Sequence, residues 1–230
     1  MTDADRAAAF PALSSMHAAH GSGVHSLVLF DRLEAWDADH GHGQAWDGSA
    51  WIGGDIDRLW LRSEGERRDG HNESAELEAL YGHAISPWWD LLAGLRQDFA
   101  PGPARQWAAL GVQGLAPYKF EVSATAYIGA SGRTAARLQV EYELLLSQRL
   151  ILQPQIELVG YGQDDPQRRL GAGLAAAQAG LRLRYEFNRR FAPYLGVERE
   201  RRFGASADYA REDGESPLDT RLVAGVRVWF

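Results

Sequence analysis

The stretch 134–146, reading TAARLQVEYELLL, decides the fold. Its even positions are Thr134, Ala136, Leu138, Val140, Tyr142, Leu144 and Leu146. Its odd positions are Ala135, Arg137, Gln139, Glu141, Glu143 and Leu145. A β-strand sends successive side chains to opposite faces, so this ribbon has one apolar side and one ionic side. The same period of two recurs at 118–129, 177–187 and 219–230, and more weakly at 88–99, 105–116, 149–161 and 191–202. Residues 46–62 and 72–85 read as two further strands, with Gly53 and Gly54 as a bulge or bend inside the first. Residues 24–37 look strand-like but do not fit the up-and-down parity, so their placement stays open.

Short connections fall at Ser86-Pro87, Pro117, Ser147-Gln148 and 188–190. Longer polar ones fall at 63–71, 100–104, 162–171 and 204–217. Tight turns at one end and longer loops at the other are the signature of an outer-membrane β-barrel. The alternative, a soluble sandwich or small barrel, would bury the apolar face and show the ionic one to water. Strand length favours the membrane, because a tilted crossing needs about 9 to 11 residues and these strands, of about 10 to 14, are long enough. So do the aromatic residues near strand ends (Trp89, Phe99, Tyr118, Phe120, Tyr142, Tyr185 and Phe187), placed as interfacial girdles.

The expected fold is therefore all-β: an antiparallel transmembrane β-barrel of about 10–12 strands behind a polar N-terminal segment. Residues 1–23 form a flexible segment carrying Met and His, 24–45 a strand-like piece with a His/Asp turn, and 46–230 the barrel. The inner face then carries both signs of charge: Asp90, Arg96, Asp98, Glu121, Arg137, Glu141, Glu143, Glu157, Arg182, Arg184, Glu186, Arg221 and Arg227. Opposite charges meeting inside a barrel this narrow fill it, which predicts an occluded lumen and not a general porin.

Composition agrees and narrows the options. The 230 residues are 45% hydrophobic and 24% charged, so the chain is no disordered polar tract. The absence of cysteine excludes disulfides, thiolate zinc sites and a catalytic thiol. A net charge of −7 argues against nucleic acid as a partner. No apolar run reaches the about 18 residues of a membrane helix. Of the 24 cationic residues, Lys119 is the sole lysine. Such arginine bias fits base composition, and it also fits a crowded interior where planar guanidiniums pair with carboxylates. No secretion signal is visible, and 1–8 reads as a mature or trimmed start.

Several stretches together resemble the copper resistance protein B family of outer-membrane proteins. The strongest are 29–34 (LFDRLE), 45–48 (AWDG) and 51–66 (WIGGDIDRLWLRSEGE). Further similarity lies at 85–87, 114–118, 180–186, 191–196 and 225–230, so the likeness spans roughly residues 24 to 230, and the Trp- and Asp-rich block is its specific part. The resemblance implies a barrel in the cell outer membrane that handles copper as cargo and contributes to copper resistance. Copper and outer-membrane lipid are the implied partners, with a periplasmic multicopper oxidase as a further candidate and a monomer as the expected state. Family members often carry an N-terminal segment rich in Met and His; here it is reduced to Met16, His17 and His20, with His25 nearby.

Imidazole suits copper in either oxidation state, and Cu(I) also takes thioether sulfur. Met16, His17, His20 and His25 form one candidate ligand group, and His40 with His42 a second. Both read equally as solvated tail and polar turn. The acids Asp31, Glu34, Asp55, Asp57 and Glu64 are placed to line an entrance and concentrate cations, or else to pair with Arg32, Arg58 and Arg62. No G-x-S-x-G element is present, and the reading is not an enzyme. A structural or adhesin-like barrel and an outer-membrane barrel enzyme remain the alternatives.

Overall fold

The computed structural model describes residue 2 and residues 23–38 and 41–230. The described chain is a closed antiparallel barrel. It opens with β1 (His25–Ala38), β2 (Gly41–Gly53), β3 (Asp57–Arg68) and β4 (His71–Ser86). Next come β5 (Trp89–Ala100), β6 (Arg105–Ala116), β7 (Phe120–Gly129) and β8 (Thr134–Glu141). β9 (Leu144–Leu145) continues β8 along β10 (Leu150–Tyr161), so the two make one wall strand. β11 (Gly173–Tyr185), β12 (Phe191–Arg202) and β13 (Leu218–Trp229) complete the ring, which closes where β13 pairs with β1. The wall has 12 strands. A helix, α1 (Gly204–Glu212), sits in the last connection.

Two expectations about the chain between residues 46 and 71 are corrected. Gly53 and Gly54 are not a bulge within one strand. They open a turn in which Gly54 N–H donates to the Asp57 carbonyl at 2.9 Å, and β2 and β3 separate there. Residues 63–71 are not a loop. β3 runs on to Arg68, β4 starts at His71, and only Asp69 and Gly70 turn, both at positive φ. Asp-Gly is a favoured pair for a two-residue hairpin, since its backbone twist matches that of the strands. The extra strand restores the parity, and 24–37 takes its place as β1, paired on both sides.

The side-chain pattern is inverted relative to a soluble protein. Leu222, Leu195 and Leu95 stand outward and exposed, while Arg184, Arg182 and Arg221 are buried inside. Hydrocarbon around the wall makes this stable: backbone groups are satisfied within the closed sheet, and apolar side chains meet lipid. The Phe230 terminus and five short turns lie at one end, the periplasmic end of such barrels, and the long connections 162–172 and 203–217 lie at the other, beside shorter turns such as Asp69-Gly70. The lumen is filled in two ways. Leu80, Leu92, Trp107, Ala109 and Tyr127 form an apolar wedge against β4–β7, and ion pairs occupy the remaining sides.

Candidate functional site: a divided acidic lumen

One irregularity organises the interior. Along β1 the pairing with β2 steps from Phe30↔Gly48 to Arg32↔Asp47, so an extra residue is inserted. A bulge of this kind breaks the alternation and re-aims side chains. Phe30 and Leu33 face out, whereas Asp31 and Arg32, adjacent in sequence, both enter the lumen. Asp31 faces a chamber toward the periplasmic end and Arg32 one toward the outer end.

The inner chamber holds about 560 Å³ and the outer about 380 Å³. Among the described residues, eight carboxylates and four arginines line the inner chamber, and ten carboxylates and six arginines line the outer. Each lining therefore carries more acids than arginines, a balance that favours cations over anions. Glu64, Glu76 and Arg137 face both chambers and form the partition. Arg137 on β8 grips Glu76 on β4 with two hydrogen bonds, of 2.6 and 2.8 Å, and reaches Glu64 on β3 at 3.2 Å. Its Nε lies 3.4 Å from Glu157 on β10. Arg32 closes the ring of charges, at 2.6 Å from Glu64 and 3.2 Å from Asp47, and Arg96 lies 2.6 Å from Glu76.

Beside this waist sits a second buried network. Arg182 on β11 binds Glu34 on β1 through two bonds, of 3.0 and 3.2 Å, and Glu198 at 2.7 Å. The Tyr194 hydroxyl also donates to Glu34, at 3.0 Å. Such charges are held inside only because each has several partners; a lone one would cost several kcal/mol. At the periplasmic mouth Arg227 lies 2.7 Å from Asp31 and 3.3 Å from Glu143, and Arg184 lies 2.6 Å from Glu143. Glu121 and Glu141 stand directly across from each other on β7 and β8, and Gln153 donates to Glu141 at 2.6 Å.

The outer mouth is roofed by the connection 162–172 and by α1. Arg168 plunges inward to within 3.1 Å of buried Asp98, which also receives bonds from Arg96 (2.6 Å) and Trp107 (3.0 Å). Gly171 N–H donates to the Ser206 hydroxyl at 2.8 Å, and a Cβ on Gly171 would sit 2.6 Å from the Ser206 backbone nitrogen. Only glycine allows that approach. Arg169 clasps the far end of α1, with hydrogen bonds to both oxygens of Asp213 and a 3.0 Å bond to Glu212. The Arg169 hydrogen bonds hold the Asp213 carboxyl below its usual range.

Of the acids expected at an entrance, Asp31, Glu34 and Glu64 line the lumen. Asp55 and Asp57 do not. The turn at Gly53–Gly54 carries Asp55 out of the wall, and Asp57 faces outward, 2.8 Å from His83 and hydrogen-bonded by Tyr81. Pairing with arginine and lining a cavity coexist, since Arg32 holds Glu64 and Asp47 while both acids face a chamber. Asp90, Arg96, Asp98, Glu121, Arg137, Glu141, Glu143, Glu157, Arg182, Arg184, Arg221 and Arg227 stand on the inner faces. Glu186 is half-buried, one residue past the end of β11 and in step with Arg182 and Arg184, at the periplasmic end. Glu76 and Asp47 were missed. Glu76 carries a readable signal, for it alternates with Glu78 and Leu80 on one face of 72–85.

Met16, His17, His20 and His40 lie outside the described residues. His25 begins β1 at the periplasmic end; His42, 82% exposed, stands near Asp69 at the outer end. The length of the β1–β2 hairpin thus separates these two histidines. Among the described residues no three His, Asp or Glu side chains are arranged to hold a metal ion.

A closed wall with a lipid-facing apolar exterior and a charged lumen defines an outer-membrane β-barrel protein. Solved barrels agree in fold: the NanC porin superimposes with a TM-score of 0.59 at 13% identity, covering 88% of this chain and 98% of that one. The KdgM porin gives 0.52 at 14% identity, covering 89% and 99%. A family profile described as copper resistance protein B precursor (CopB) matches residues 24–230. The copper resistance protein B homolog of Pseudomonas syringae pv. tomato (strain ATCC BAA-871 / DC3000) is 55% identical over the whole chain and 78% of its own length. Copper resistance protein B of Escherichia coli is 50% identical over the whole chain and 77% of its own length. The chain belongs to the copper resistance protein B family and has a role in copper resistance.

Proposed function

We propose that this barrel binds copper ions as cargo and moves them through its lumen, without catalysing a reaction. The observation that carries the reading is the pair of acid-rich chambers, separated by one thin layer of ion pairs, in a chain of this family. A cation entering either chamber meets more carboxylates than guanidiniums, which favours its entry while the arginines keep the site from binding irreversibly. Met16, His17, His20 and His25 supply soft and borderline donors for capture, with His25 at the start of the first strand, His42 supplies imidazole at the outer end, and His40 is a further imidazole donor. The barrel acts as a monomer in outer-membrane lipid, and a periplasmic multicopper oxidase exchanges the ion at the periplasmic mouth.

Titration calorimetry of the detergent-solubilised barrel tests this with Cu(II), and with Cu(I) under reductant. The triple variant H17A/H20A/H25A is expected to bind copper roughly tenfold more weakly or worse, because its imidazole donors are gone, while circular dichroism stays that of the folded barrel. Unchanged affinity would assign capture to His40, His42 or the lumen acids. No copper binding by the native barrel would contradict the reading.

A further inference from the structure

Among the described residues, Arg137 is the one arginine that faces both chambers. It is anchored on β8, yet its partners Glu64 and Glu76 sit on β3 and β4, across the ring. The side chain therefore spans the lumen as well as lining it. Its hold is uneven. The two bonds to Glu76 are short and parallel, the geometry of a strong guanidinium–carboxylate pair. The approach to Glu157 is long, and the buried Nε makes no hydrogen bond. Glu64 is shared with Arg32, so its negative charge is already partly answered. Arg32 and Arg96 flank the partition, but each borders the outer chamber alone.

We propose that Arg137 is a tethered cation that gates the lumen: its guanidinium occupies the place a mobile cation takes among Glu64, Glu76 and Glu157, and an entering cation opens the passage by displacing it. The exchange is charge-balanced in kind, since one cation leaves the carboxylates as another arrives. A divalent ion has the advantage of its second charge, and the displaced guanidinium retains acidic neighbours in either chamber. The partition is then selective as well as closed. An anion meets the same carboxylates once the arginine has swung aside, and is refused. The inference builds on the lumen as the ion route in the proposed function, but it does not depend on the ion being copper.

Potassium currents through the full chain in planar lipid bilayers read this gate without copper present. The native barrel is expected to show a low conductance. R137A removes both bulk and charge, joins the chambers, and is expected to raise conductance about threefold or more, because current is set by the narrowest cross-section. R137M keeps most of the bulk and removes the charge. It is expected to conduct more than the native barrel and to shift the reversal potential toward that of potassium, since the carboxylates are uncovered. R137K keeps a tethered cation and is expected to stay low. Heat-modifiable gel mobility confirms folding, and where R137A fails it R137M carries the test. Native-like conductance in both R137A and R137M would overturn the proposal. So would opening by R137A with no change in selectivity in either variant, which would make the side chain a steric plug. A barrel that gates potassium in this way but neither binds nor passes copper would refute the proposed function alone.

Discussion

The two fillings of the lumen differ in what they permit. Against β4–β7, Leu80, Leu92, Trp107 and Tyr127 form one buried cluster. On the other sides, Arg182, Glu34, Arg32, Glu64, Glu76 and Arg137 meet through directional bonds around open volume. Packed apolar atoms stabilise by contact and exclusion of water, and they offer nothing to an ion. Paired charges gain little net stability after desolvation, yet they can exchange partners. The wedge fixes the wall, and the ionic side leaves a path. Tyr127 and Trp107 join the two, with bonds to Glu78 at 2.7 Å and Asp98 at 3.0 Å.

Substitutions on each side break this contrast in different ways. The largest loss is expected from E34A, which leaves buried Arg182 with Glu198 as its remaining carboxylate and takes the acceptor from the buried Tyr194 hydroxyl. It should lower stability by about 3–5 kcal/mol in urea unfolding from lipid, and also alter conductance. L92A leaves a cavity in the wedge, with an expected cost of about 2–5 kcal/mol and conductance unchanged. If L92A altered selectivity while E34A did not, the division of labour would be wrong. Y194F removes one hydrogen bond to a carboxylate and should cost about 1.5–3 kcal/mol.

The smallest effect is at the roof. The folded carboxyl of Asp213 is held low by Arg169, so the clasp is complete above the ordinary carboxylate range and is lost as pH falls through the lower folded value. A spin label on the 204–217 connection should gain mobility in that acid window, and D213N should show the same mobility at neutral pH.

Much of this was legible in the sequence, for identifiable reasons. Where alternation is unbroken, as at 134–141 and 219–229, the inward and outward faces follow directly, and Arg137, Arg221 and Arg227 were placed correctly. It failed where one residue shifts the period. β1 was hard to place because 46–62 read as one strand and upset the parity, and the bulge at Asp31–Arg32, which sends both charges inward, leaves no mark in the alternation. The Asp69-Gly70 turn was hidden because strands β3 and β4 are polar at their outer ends, and a charged run there reads as loop. The waist itself was out of reach. Nothing in spacing tells that Arg137 meets Glu76, 61 residues away, because that contact depends on ring closure and strand tilt. Arg168 and Arg169 lie in a loop, where no periodicity points a side chain in either direction.

Copper entry into sealed vesicles bears most directly on the whole account. Liposomes holding a fluorescent copper chelator, with the native barrel inserted, should quench when copper is added outside. They should quench faster with R137A, and vesicles without protein should stay bright. Equal quenching with and without the barrel would contradict a lumen that carries the ion.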